Sequence, residues 1–508
     1  MSTQAPAPDA PPPGPRRSWL RRELAWVSTT YFAEGYPYAV VNNLADILFK
    51  QLGASLEVVG LTSLFHLPWN LKFLWGPFVD QYGTKRAWLL GTEVVLVVVL
   101  VVLALVASLG QASLAPLAIC FLVLAVLSAT HDIAIDGFYL EALDEADQSS
   151  FVGFRAAAYK VAVVIVSGPL IWVCAKFGWS LGLLAAAVLM GLLLVVHAAV
   201  LPQTEQAKGR WRTLLGLVAR RGLPLLGLAA LVIVAERQWG LGDGLGRRWA
   251  RVTASFPSLT KIGTGGWIAL ALLLGLLVLL AWIPRLRARA SANPDAVSDY
   301  AQSFVRFLDQ PKIGLMLAFV LLFRTGESFL LKMRWPFLSD SLGIGLDFYA
   351  EVNGIYGVVA SIAATIIGGR LIARDGLRRW IWPFVLAQNI LNLLYMGLAS
   401  VDPSSISPVA IGAVITAEHV GSGLGTAVFM VYLMRTCDPA HKAGNFAIVS
   451  ALMSLSFTLA GVFSGFLATA LGFANYFGFT FLATIPSMLL IPFVPYLDGR
   501  NPESPSPT

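Results

Sequence analysis

The chain has 508 residues, of which 57% are hydrophobic and 13% charged. A soluble domain carries about a quarter charged residues, so this composition excludes an ordinary soluble enzyme and indicates an all-α, polytopic membrane protein. The net charge of +7 does not mark a nucleic-acid partner, because the basic residues sit mainly in short segments between apolar runs, as in cytoplasmic loops.

Residues 1–20 begin with a Pro- and Ala-rich stretch and read as a disordered cytoplasmic tail, with Arg16, Arg17, Arg21 and Arg22 before or at the first span. The apolar segment that follows contains Glu34 and has no obvious small-residue cleavage site, so it reads as a retained anchor. Apolar runs then fall at about 24–49, 56–78, 87–109, 114–142, 152–175 and 180–201. A second series falls at about 312–333, 347–368, 380–400, 405–434, 444–470 and 473–496. The expected layout is a six-helix bundle over 21–203, an insert over 204–305, a second six-helix bundle over 306–497 and a cytoplasmic tail over 498–508. The insert holds one clear span at about 264–284 and a shorter apolar run at about 222–236. If both bundles start on the same side, the insert crosses an even number of times, which gives fourteen helices in all. That topology would place Arg237, Arg247, Arg248, Arg251 and Lys261 outside, against the positive-inside tendency. The alternative is that 222–262 lies partly in the interface.

An internal repeat is visible in two loops. Gly76-Pro77-Phe78-Val79-Asp80-Gln81-Tyr82-Gly83-Thr84-Lys85-Arg86 follows the second run. Gly369-Arg370-Leu371-Ile372-Ala373-Arg374-Asp375-Gly376-Leu377-Arg378-Arg379 follows the eighth. The offset that carries Gly76 to Gly369 and Gly83 to Gly376 also carries Glu34 to Glu327. Two repeated bundles with a site between them is transporter architecture. The glycines permit tight turning, and Lys85, Arg86, Arg378 and Arg379 anchor the cytoplasmic surface. Asp80 can bind the orphan amides of a neighbouring helix N-terminus or pair with a nearby arginine, and Ala373 holds its place in the second copy.

The acids inside apolar runs are the candidate functional residues. Asp132 and Asp136 lie four residues apart, on one face of the fourth helix. Charged groups at membrane depth cost several kcal/mol unless they face a wet cavity or a partner. The bland reading is an ion pair that locks helices together; the sharp one is proton coupling by Asp132, Asp136, Glu34 and Glu327. Arg155 and Lys160 suit an anionic substrate group or a counter-ion for the two aspartates, and Lys72 suits the same region or snorkels to the interface. Arg324 is a candidate partner of Glu327. Glu418 and His419 fall in the tenth run, where a histidine can titrate near neutral pH. Tyr36 can stack on sugar rings, although aromatic residues in spans are usually packing residues. His66 and His197 read as packing. Gly421, Gly423 and Gly425 read as close helix packing, not as a nucleotide loop. No catalytic motif, cofactor motif or metal-ligand spacing is present, and Cys120, Cys174 and Cys437 imply no disulfide.

The first loop resembles the signature loop of the major facilitator superfamily. Leu67-Pro68-Trp69-Asn70-Leu71-Lys72-Phe73-Leu74-Trp75-Gly76-Pro77-Phe78-Val79-Asp80 is similar, more narrowly, to AmpG-type muropeptide permeases and their acetyl-CoA transporter relatives. His131-Asp132-Ile133-Ala134-Ile135-Asp136-Gly137 and Glu418-His419-Val420-Gly421-Ser422-Gly423-Leu424-Gly425-Thr426 resemble the same group. The resemblance implies a monomeric, proton-coupled importer of muropeptides in the bacterial inner membrane, with both termini cytoplasmic. Its partners would be a small-molecule substrate, protons and the bilayer. Import of a siderophore, export of an amphiphilic compound, or a membrane sensor that binds without carrying are the alternatives.

Overall fold

The computed structural model describes residues 19–72, 75–110, 114–203, 307–437 and 442–498, with four isolated positions inside the insert. The two expected insert spans and the basic residues between them lie outside the described residues, as do most of both tails. Among the described residues, nine helical stretches are long and apolar enough to cross a membrane. The last of them is two helices that meet at Gly472, whose φ of 72° breaks the helical path. Two further passes, 19–51 and 56–81, are more polar and more interrupted.

In the first half, α1 (Trp19–Ala39) runs through a π-helical turn at Val40–Leu44 into α2 (Ala45–Gln51). The second pass is built of α3 (Leu56–Leu61), a 3-10 turn at Thr62–His66, α4 (Leu67–Leu71) and α5 (Gly76–Gln81). Then come α6 (Lys85–Ala107) and α7 (Leu114–Ala142). The fifth pass is α8 (Glu145–Ile165), a second π turn at Val166–Leu170 and α9 (Ile171–Phe177), and the sixth is α10 (Trp179–Val200).

The second half repeats this plan. Its elements are α11 (Ile313–Phe323), α12 (Thr325–Asp340), α13 (Leu346–Glu351), a third π turn at Val352–Gly357 and α14 (Val358–Asp375). They continue with α15 (Leu377–Ile390), α16 (Asn392–Ser400), α17 (Pro408–Thr436), the kinked α18 (Lys442–Leu482) and α19 (Ile485–Leu490). The helix ends follow ordinary capping chemistry. Thr84 Oγ1 accepts from the Ala87 amide at 3.0 Å and Ser407 Oγ from the Ala410 amide at 3.2 Å. Gly83 and Gly376, matched in the repeat, both turn at positive φ, 71° and 87°.

Ion pairs that bridge the halves gather at the end away from the basic loops. Lys50 meets Asp340 at 2.5 Å and Lys176 meets Asp347 at 2.7 Å. Backbone closeness supports the same seal: a Cβ on Gly354 would meet Ser167 O at 1.9 Å, and one on Gly60 would lie 3.0 Å from Gly461 O. Small residues allow this approach where no hydrophobic drive exists between helices in lipid.

Candidate translocation site

The three π turns converge. Each adds a residue to its helix turn, a feature common at functional sites, and each contributes polar side chains to one cavity: Asn42 and Asn43, Ser167, and Asn353. Asn43 Nδ2 donates to Ser167 Oγ at 2.9 Å, joining two of the turns directly. The cavity measures about 390 Å3 and lies between the halves, with Tyr38, Asp46 and His66 from the first and Arg324, Glu327, Lys332, Arg334, Glu418 and His419 from the second.

Two of the second-half cations, Arg324 and Arg334, are tightly paired with acids. Arg324 holds both oxygens of Glu327, at 2.9 and 2.8 Å, and also reaches Thr426 Oγ1 at 3.2 Å. Gln388 and Ser422 donate to the same carboxylate at 2.8 and 2.5 Å. Arg334 pairs with Glu418 in full burial, and His419 Nδ1 lies 2.9 Å from the Ile415 carbonyl. The glycine-rich stretch of α17 makes this possible by close packing. A Cβ on Gly423 would meet Ser361 O at 2.3 Å, and one on Gly425 would meet Gln388 Oε1 at 1.6 Å.

A second charged cluster sits within the first half. Lys72 Nζ donates to Asp132 Oδ2 at 2.6 Å, and Arg155 Nη2 to Asp136 Oδ1 at 3.1 Å. Tyr31 also donates to Asp136, at 2.8 Å, and the Arg155 guanidinium stacks 4.3 Å over the Tyr31 ring. Glu34 is near all four charged groups, yet its Oε2 is buried with no hydrogen-bond partner. The Lys72 and Asp136 side chains are 36% and 41% exposed, so this cluster is not fully enclosed by protein. Tyr38, packed on His66, Trp69 and Tyr159, feels both Asp132 and Arg324 and stands between the cluster and the cavity.

Several sequence expectations change here. Glu327 lines the cavity, but Glu34 belongs to the neighbouring cluster, so the two glutamates do not share one chamber. Tyr36 is 1% exposed and stacked on Phe32 in the core, too deep to meet a sugar. Lys160 pairs with neither aspartate. It is exposed on the helix face that continues through Val163 and Ser167 into the cavity, near Arg324. His66 does more than pack: its ring bridges Asn42, at 2.7 Å, and Ser454 of the other half. His197 and His131 flank Glu93 at 2.5 and 3.3 Å, a wholly buried trio inside the first bundle. Asp46, Lys332 and Arg334 were not singled out from sequence. Lys332 and Arg334 fall in an ordinary-looking Leu-Lys-Met-Arg-Trp run, although two cations five and seven residues past Glu327 in a span were a usable signal.

The signature loop also closes on itself. Lys85, 5% exposed in its side chain, pairs with Asp80 and donates to Val79 O at 2.9 Å. Gly137 leaves room for its stem, since a Cβ there would fall 2.6 Å from Lys85 Cε. Arg86 reaches the Ala198 and Leu201 carbonyls at the end of α10.

Comparison with known proteins agrees with this architecture. The family model described as Major Facilitator Superfamily matches residues 315–508, and that described as Acetyl-coenzyme A transporter 1 matches 27–158. An Escherichia coli K12 protein named anhydromuropeptide permease is 23% identical over 470 residues, covering 91% of this chain and 77% of its own. A Rickettsia felis protein named putative transporter AmpG 4 is 20% identical over 468 residues, covering 91% and 93%. The chain is thus similar to AmpG-type transporters over most of its length, and its second half to the major facilitator superfamily. Among solved structures, a peptide transporter POT in complex with sulfate superposes with TM-score 0.62 at 14% identity, over 94% of this chain and 95% of that one. The xylose transporter XylE from E. coli, in an inward-open conformation, gives 0.57 at 12%, over 95% and 98%. Along nearly its whole length the chain is therefore similar to proteins named as membrane transporters, and it shares their fold.

Proposed function

We propose that this AmpG-like transporter imports muropeptides, amino-sugar peptides released in cell-wall turnover, by proton-coupled alternating access across the bacterial inner membrane. Both termini and the basic loops would face the cytoplasm, and the conformation described is then open inward. The observation that carries the coupling is the charge balance around Glu34: three acids, Glu34, Asp132 and Asp136, share two cations, Lys72 and Arg155. Each aspartate has its own base, so Glu34 is the carboxyl on which the coupled proton rests. Lys72 and Arg155 pair with the two aspartates, and Tyr38 links this cluster to the cavity. Lys160, free of an ion pair on the approach, and the aromatic collar of Tyr38 and Trp69 suit an acidic sugar conjugate. The relatives named for anhydromuropeptides support that cargo.

The test is uptake into proteoliposomes that contain the purified protein. A defined anhydromuropeptide should accumulate against its gradient when the acceptor side is made alkaline, and not without a pH step. Accumulation of a ferric siderophore in place of the muropeptide would overturn the cargo. Binding without any uptake would favour a sensor.

A further inference from the structure

Lys332 lies at the sealed end of the cavity, buried on α12, and both of its partners belong to the other half. Its ammonium donates to Thr62 Oγ1 at 2.7 Å, and Asp46 Oδ2 stands 3.8 Å away, beyond hydrogen-bond range. A Cβ on Gly461 would lie 3.8 Å from its Cδ, so the stem passes beside the helix that closes the seam. The other cavity cations differ. Arg324 is clasped by both oxygens of Glu327, and Arg334 is bound to Glu418. An ammonium has three donors, and among the described residues Lys332 makes one direct hydrogen bond, to Thr62. It is the cavity cation with bonding capacity to spare.

We propose that Lys332 is a two-position latch that docks the acidic group of the cargo. In the present position it ties the halves together through Thr62 and Asp46. An anion that enters from the open end offers a better partner, draws the ammonium off and loosens the sealed end. A ligand shifts an equilibrium only by binding one state better than another, and here the difference is the inter-half bond given up. The inference rests on reading this cavity as the cargo site.

Hydrogen exchange on protein in lipid nanodiscs tests it, read at residues 50–56 and 341–346 beside the seal. Without ligand, Lys332→Met should speed exchange there by about fivefold or more, while Lys332→Arg stays within about twofold of the wild type. Sulfate, compared with chloride at equal ionic strength, should speed exchange in the wild type and leave Lys332→Met unmoved. Asp46→Asn, which removes the competing carboxylate, should respond at lower sulfate; it also decides the matter should Lys332→Met fail to fold. An unchanged seal in Lys332→Met, or a wild type indifferent to sulfate, overturns the latch. A defined anhydromuropeptide should act like sulfate, and its fully amidated form should not; equal action of both forms overturns anion docking. A seal that answers sulfate but neither muropeptide form keeps the latch and removes the muropeptide reading.

Discussion

Glu34 and Glu327 hold matched places in the two halves, yet their surroundings differ in charge balance and in access. Around Glu327 every oxygen is claimed, by Arg324, Gln388 and Ser422, and the group helps to build the cavity wall. Around Glu34 the cations are already taken by Asp132 and Asp136, and one carboxylate oxygen has no partner. An acid inside a span is costly to keep charged, and on the reading proposed above the carboxyl without its own base carries the coupled proton. The repeat thus preserves the fold while the two sites divide the labour. One half carries a carboxyl without its own cation; the other carries a saturated frame.

The sharpest way to break this comparison is to neutralise the two glutamates separately. One coupled proton supports roughly tenfold accumulation for each unit of pH step. Glu34→Gln should bring accumulation to about unity while pH-independent exchange stays within about twofold, because only the titrating group is lost. Glu327→Gln should keep the pH response and slow both uptake and exchange. Proteoliposome flux with and without a pH step separates the two. Loss of the pH response in Glu327→Gln instead would transfer coupling to the second half. Asp132→Asn or Asp136→Asn, each of which strands a base, should slow uptake without abolishing its pH dependence.

The next largest contrast is in stability. Arg334→Met leaves the Glu418 carboxylate buried without its base, and breaking such a pair costs about 3–5 kcal/mol. Lys72→Met strips Asp132 of its partner where the lysine is not fully enclosed by protein, and about 1 kcal/mol is expected after screening. Thermal unfolding in detergent should rank the two in that order. Equal losses would mean that the first cluster is as dry as the second.

Packing gives a smaller contrast. Gly425→Ala would drive a methyl into Gln388, whose amide orients Glu327, at a cost of roughly 1–3 kcal/mol. Gly369→Ala has open space and should be silent in both melting temperature and flux.

The fold was legible because membrane spans and a repeated loop leave strong marks: long apolar runs, Gly at fixed spacing, and basic residues where chains turn. The Asp132–Asp136 pair was legible for the same reason, since charge inside an apolar run stands out. Which partner each acid takes was not. Lys72 and Arg155 lie on other helices, and helical spacing says nothing about which face meets which neighbour. Lys160, one face around from Arg155, was paired in expectation with aspartates it does not reach. The π turns were hidden too, for Val40–Leu44 and Val352–Gly357 carry no residue that marks an extra position in the turn. Tyr36 stayed open between sugar stacking and packing because its ring chemistry is visible in the sequence and its burial is not.

The smallest contrast lies in the loops. The offset that relates the halves carries Lys85 to Arg378, and each base has an acid, but from different places. Lys85 takes Asp80 from its own loop; Arg378 takes Asp498, from beyond the last helix, at 2.5 Å. Ala373 is therefore not a simple loss: within the second loop Asp375 is held by Arg374, and Asp498 supplies the carboxylate for Arg378. The two pairs differ in burial. Lys85 is enclosed beside Gly137 and also donates to the Val79 carbonyl, so Asp80→Asn takes a charged partner from a buried ammonium, and turnover should fall by roughly fivefold through a misplaced α5–α6 turn. Arg378 and Asp498 are both largely exposed, 72% and 66%, and exposed pairs contribute little, so Asp498→Asn should change turnover by less than about twofold. Initial rates of exchange, normalised to folded protein, read both. A large effect of Asp498→Asn would show that the second loop gates as strictly as the first, and the division between an anchored and a loosely tied loop would fall.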